Sequence, residues 1–193
     1  MSMNTIELTN MAQQFTDALL DTEREGMYGV IDNLRTGGFF TAPASSKFHG
    51  AYEGGLLEHS LNVLNVATGI DEDMQGLGHK GVRGDSLIIV CLLHDVCKMD
   101  LYRRTEDGWD KDYSACPLGH GEKSVILLQK WGLKLKDDEI LAIRWHMGKW
   151  DLSEYVDAKR GFDAACSKTP LLPILMAADM LAARIIEEGE VAK

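Results

Sequence analysis

The chain has 193 residues, 45% of them hydrophobic, which is enough for one substantial core and so for one domain. Its 20 basic and 30 acidic residues leave a net charge of −10, which argues against extensive duplex nucleic-acid binding, a mode built on many lysine or arginine contacts to phosphate. No stretch approaches the roughly 18 uninterrupted apolar residues of a membrane span, the N-terminus has no basic and apolar leader, and the cysteines form no Cys-x-x-Cys pair. A cytoplasmic protein with reduced thiols and no membrane partner is expected.

In chain order, the pattern predicts a helix from about Glu7 to Arg24 and a second from Met27 to Thr36, ended by Gly37-Gly38. Phe39 to Gly55 reads as a glycine-rich approach to a third helix, on which His59 shares a face with Leu56, Val63 and Val66. Asp71 to Gly84, carrying a solvated His79, reads as a surface loop. Ser86 to Lys98 is apolar on nearly every side and is predicted as a central helix capped by Asp85 or Ser86. It holds the adjacent pair His94-Asp95 beside Val90, Cys91 and Leu92. An ionised aspartate buried there alone would be costly, so Asp95 needs partners, and a cation is the most economical one. Leu101–Arg104 and Trp109–Tyr113 flank Thr105–Gly108 and suggest a hairpin.

His120 sits between two glycines at the entry to a helix from Glu122 to Trp131. The next helix starts at Asp137 or Asp138, carries His146 behind Ala142 and Ile143, and stops at Gly148. Lys149 to Thr169 reads as a long irregular stretch, of the kind that forms a lid or binding wall. Asp179 follows Leu175 and Met176 on a last helix whose alanines permit close packing. The fold class is mainly α, a helical bundle with one small β-hairpin.

Singly, each of these polar residues is better read as a hydrogen-bonded core histidine or a capped aspartate. Six of them together, His59, His94, Asp95, His120, His146 and Asp179, read as a two-metal site. Imidazole and carboxylate donors without cysteine suit iron, manganese, zinc, cobalt or nickel. Lys98, one turn beyond His94, is placed to meet a bound phosphate, or it serves only as a cation at a helix C-terminus. His49, Arg103 and Lys149 are further candidate substrate contacts. Tyr52, Trp145 and Trp150 are either stacking or packing residues.

The ordered set His59, His94-Asp95, Asp179 resembles the signature of the HD superfamily of metal-dependent phosphohydrolases, and His94-Asp-Val-Cys-Lys98 resembles its His-Asp-Ile-Gly-Lys form. Phe48-His-Gly-Ala-Tyr-Glu-Gly-Gly-Leu-Leu-Glu-His59 is similar to the opening of stand-alone HD domains and of those in 3′-5′ exoribonucleases. Gly119-His120-Gly-Glu-Lys-Ser124 and Ala142-Ile-Arg-Trp-His146-Met-Gly148 resemble the additional histidine segments of two-metal members. Cys97 stands where the family usually has glycine.

The resemblance runs from Phe48 to Arg184. It implies one HD-type domain over 1–193, with 1–47 as a helical extension and 48–184 as the motif-bearing core. It also implies that His59, His94, Asp95 and Asp179 hold one divalent ion. His120 and His146 would hold a second, with Asp95 bridging and iron or manganese favoured. The function it implies is hydrolysis of a phosphomonoester or phosphodiester, of a nucleotide or short oligonucleotide, with Asp95 and Lys98 as catalytic residues. Two other readings share the ligand set: a mixed-valent di-iron oxygenase of the same superfamily, and a non-catalytic nucleotide-binding regulatory module.

Overall fold

A computed structural model of the chain describes residues 4–114, 117–150 and 156–187. Helices α1 (Thr5–Leu20) and α2 (Met27–Thr36) precede α3 (Gly55–Gly76) and α4 (Gly84–Leu93). Strands β1 (Tyr102–Thr105) and β2 (Gly108–Lys111) pair antiparallel, with Thr105 opposite Gly108, and form the expected hairpin. Then come α5 (His120–Lys130), α6 (Asp137–Trp145), α7 (Val156–Lys168) and α8 (Leu171–Leu181). The mainly α class read from the sequence is the class observed. Among the described residues no single helix is long and apolar enough to cross a membrane.

Helix α4 is central because it offers almost no polar face. Leu87 and the run Ile89–Leu93 are buried, and α3, α6 and α8 all pack against it. The N-terminal helices close the other side, where Phe15 meets Phe39 at 5.2 Å and Phe40 edge-on at 5.6 Å.

Several local expectations are corrected. The first helix stops at Leu20, a turn before Arg24, and Glu23 takes a left-handed φ of 52° that no helix continues through. The third helix runs on to Gly76, so Asp71–Gly76 is helical. Asp71 is buried there and accepts from Gln75 Nε2 at 2.8 Å and Val82 N–H at 3.0 Å, which folds the chain back. Most of the supposed irregular stretch from Lys149 is α7, whose Phe162 packs on Trp145 at 6.2 Å; residues 151–155 lie outside the described residues. The central helix also ends at Leu93, not Lys98, and continues as a tighter 3₁₀ turn, Val96–Asp100.

Neither Asp85 nor Ser86 caps α4, whose preceding residue Arg83 makes no side-chain cap bond. Both instead join a buried polar clamp. Glu139 of α6 is fully buried and takes a forked pair of bonds from Arg24, at 2.6 and 2.9 Å, with Ser86 Oγ–H at 2.7 Å and Lys136 N–H at 2.8 Å. Lys136 Nζ donates to Asp85 at 2.7 Å. The clamp ties the start of α4 to the start of α6, and the far ends of these two helices carry His94 and His146. His94 lies eight positions beyond Ser86 and His146 seven beyond Glu139. At about 1.5 Å of rise per residue, the two histidines reach similar distances from the clamp.

Candidate metal centre

His94 is the C-cap of α4, and its N–H makes the last helical bond, to Val90 O at 3.0 Å. Neighbouring side chains on a continuous helix diverge by about 100°. Here Asp95 leaves the helical region, with φ −108° and ψ 19°, and its Oδ2 comes within 3.4 Å of His94 Nε2. The break in the helix is what lets an adjacent histidine and aspartate face one point.

His146 is likewise the C-cap of α6. A helix C-terminus leaves carbonyls without amide partners, and both histidines use one. His94 Nδ1 lies 2.9 Å from Cys91 O, and His146 Nδ1 lies 2.7 Å from Ile143 O. A carbonyl only accepts, so each Nδ1 carries the proton and each Nε2 presents a lone pair. His59, on the buried face of α3, is held through Nδ1 by the Glu187 carboxylate at 3.1 and 3.2 Å. Its Nε2 points at Asp179 Oδ1, 3.2 Å away but not aligned for a hydrogen bond, and lies 3.9 Å from Asp95 Oδ2. His49 packs against His59 with ring centroids 5.0 Å apart and planes tilted by 43°. The loop bearing it closes tightly: Gly54 has φ 88°, and a Cβ on Gly55 would sit 2.0 Å from Gly50 O.

The result is a set of buried polar atoms without partners. The Nε2 atoms of His49, His59, His94 and His146, and Oδ1 of Asp95, are buried without hydrogen-bond partners. Donor atoms of His59, His94 and Asp179 lie within 4.8 Å of one another, as do those of His94, Asp95 and His146, and those of Asp95, Cys97 and His120. Asp95 divides its oxygens: Oδ2 faces His59 and His94, while Oδ1 lies 3.5 Å from His146 Nε2. Buried acceptors crowded in this way call for a cation. The donor set of imidazole nitrogens and carboxylate oxygens, with the Cys97 sulfur beside it, fits a divalent transition ion.

The electrostatics agree. Burial opposes charge on His59, yet Asp179 and Glu187 on either side raise its pKa to about 9, so that a proton, or a cation in its place, is favoured at Nε2. Burial also opposes ionisation of Asp95, and Lys98, with the histidines, holds it well below the usual carboxylate range. Lys98 is buried, with Nζ 2.6 Å from Asp95 Oδ2, so it enters the cluster rather than merely capping a helix. Burial lowers His49 to about 4, helped by His59, and lowers His120 to about 4 against the pull of Asp95.

All six residues expected at a metal site therefore converge, with His49 and Lys98 against them. Arg103 is exposed on β1 opposite Asp110. The Lys149 side chain lies outside the described residues. Trp145 packs under Arg144 at 4.2 Å, which supports the packing role. Glu187 was missed: it follows α8 in a run that reads as an acidic tail, and no local pattern marks it.

The HD-domain family model matches residues 56–184. The chain belongs to the HD-domain family. This HD domain is also 35% identical, over 101 residues, to a dihydroneopterin 2′,3′-cyclic phosphate phosphodiesterase of Methanocaldococcus jannaschii. That match covers 52% of this chain and 41% of the relative, so the chain spans less than half of the relative's length. No solved structure matches.

Proposed function

We propose that this HD domain is a metal-dependent phosphohydrolase acting on a phosphodiester of a small, nucleotide-like molecule. The observation that carries the reading is the convergence of unpaired His59, His94 and His146 Nε2 atoms on Asp95. His59, His94, Asp95 and Asp179 are assigned to one ion, and His120 and His146 to a second, with the divided carboxylate of Asp95 shared between them. Iron or manganese is the favoured metal. Two divalent ions against Asp95 and Asp179 leave the site positive by about two, and in a chain of net charge −10 this favours a small anion over a long polyanion. The relative's cyclic phosphate makes 2′,3′-cyclic phosphates the first class to test.

Bound divalent ions supply Lewis acidity at phosphate and bring the pKa of water towards neutrality. The protein supplies the rest. Glu187 and the carbonyls of Cys91 and Ile143 hold three imidazoles in one tautomer, which keeps the donor geometry rigid. Lys98 brings a buried ammonium to the Asp95 side of the site, where it stabilises negative charge that grows on the phosphoryl oxygens. His49, packed on His59 with its Nε2 unpartnered, is placed to hydrogen-bond the substrate. The Asp179 side chain, 23% exposed against 2% for Asp95, marks the side from which a phosphate would approach.

The test is anaerobic incubation of protein loaded with iron(II) or manganese(II) with 2′,3′-cyclic nucleotides and linear dinucleotides. Hydrolysis without oxygen is expected. Turnover that requires and consumes oxygen, or no turnover with either ion, would overturn the proposal.

A further inference from the structure

The four clustered histidines solve one problem in different ways. An imidazole that presents Nε2 as a lone pair must hand its Nδ1 proton to an acceptor. His94 and His146, at helix C-termini, use spare carbonyls, and His59, within α3, uses Glu187. His120 has neither. It is the first residue of α5, and a helix N-terminus has unpaired N–H groups rather than unpaired carbonyls. The group that stands at its Nδ1 is Cys97 Sγ, 3.2 Å away and buried.

Cys97 also binds α5 a second time, since its N–H donates to Ser124 Oγ at 3.3 Å. His120 and Ser124 are four residues apart and share a helical face, so one residue grips that face at two points. Lys123, between them, pairs with Asp100 of the same 3₁₀ turn. The other side of α5 is fixed as closely: a Cβ on Gly121 would lie 2.2 Å from Arg144 O and 2.5 Å from Ile143 O. The start of α5 is thus held between the turn that follows Asp95 and the end of α6 that bears His146.

Given the two-ion reading above, on which this rests, we infer that Cys97 is a positioning residue for the ion assigned to His120 and His146. Its sulfur accepts the His120 Nδ1 proton and turns Nε2 toward Asp95, without ligating the ion. Thiol sulfur is a weaker acceptor than a carbonyl or carboxylate oxygen, so this ion is the more weakly held of the two.

The experiment is titration of metal-free protein with cobalt(II), followed by calorimetry and absorption spectroscopy, for wild type, Cys97→Ala and Cys97→Ser. Wild type is expected to bind two ions, the second more weakly, with no sulfur-to-cobalt charge-transfer band. Cys97→Ala is expected to keep the affinity of the first ion, which also shows that it is folded, and to lose about 10–100-fold in the second. Cys97→Ser, which retains an acceptor, should recover most of that loss. A charge-transfer band in wild type that vanishes in Cys97→Ala would make Cys97 a ligand and overturn the inference. Equal second-ion affinity in Cys97→Ala and wild type would overturn it as well, leaving the two-ion site standing. A wild type that takes up only one ion removes the inference but keeps a metal site, and one that takes up none removes both.

Discussion

Replacing Glu139 by alanine removes a fully buried carboxylate while leaving its partners in place. Arg24 loses both bonds of its fork, at 2.6 and 2.9 Å, the buried Ser86 hydroxyl loses its 2.7 Å acceptor, and Lys136 N–H loses one at 2.8 Å. Breaking a buried pair from one side costs about 3–5 kcal/mol; Arg24 would be left with Asp85 at 3.4 Å and the Lys134 carbonyl at 2.8 Å, and the buried Ser86 hydroxyl without its acceptor. For a domain of this size each kcal/mol moves the melting temperature by about 2–4 °C, so the midpoint should fall by about 6–20 °C. Urea denaturation of wild type and Glu139→Ala checks this. A loss below about 1 kcal/mol, the range of a surface ion pair, would refute the view that the clamp holds the starts of α4 and α6 together. The pH dependence has a definite sign. Burial works against ionisation of Glu139, but its partners, Arg24 first among them, hold its pKa below the ordinary value. The contribution is therefore complete above the unfolded carboxylate value of about 4.3 and is lost as the pH falls through the lower folded value. Wild type should lose stability in that window more steeply than Glu139→Ala.

Other expectations follow from the site itself. Lys98→Ala should retain its metal, measured by elemental analysis, and lose about 100–1,000-fold in kcat, the usual cost of removing one donor aimed at developing negative charge. Glu187→Gln, which weakens the acceptor at His59 Nδ1, should bind metal about 10–100-fold more weakly in a competition titration. Gly121→Ala should destabilise the protein by about 1–3 kcal/mol in urea, since the added methyl meets backbone atoms of α6 that have no side-chain freedom to yield. Chelation should lower the melting temperature of the wild type and leave that of an Asp95→Ala protein unchanged, because only a folded site that binds metal gains stability from it.

How much of this could be read in advance depended on the range of the signal. His59, His94, Asp95, His146 and Asp179 stand out because each interrupts an apolar helical face, and that periodicity is local. The break at His94 was hidden because Val96 and Cys97 continue the apolar run, and only backbone geometry shows the turn. α7 was hidden for the opposite reason: a face built on Phe162, Ala165 and Cys166 is narrow, and charged residues surround it. The clamp joins residues 115 positions apart, Arg24 and Glu139, which no local pattern links. Glu187 reaches His59 across 128 positions. The ligand candidates were therefore legible, whereas the groups that orient them were not, since orientation is set by tertiary packing.

On the proposed function, Asp95 gathers the surrounding histidines around divalent ions and hydrolysis depends on them. The most direct measurement is metal content and anaerobic 2′,3′-cyclic phosphate hydrolysis on the same preparations of wild type and Asp95→Ala, with folding checked by circular dichroism. Wild type should hold divalent metal and hydrolyse the diester, and folded Asp95→Ala should do neither. Full hydrolysis by metal-free Asp95→Ala protein would contradict the account.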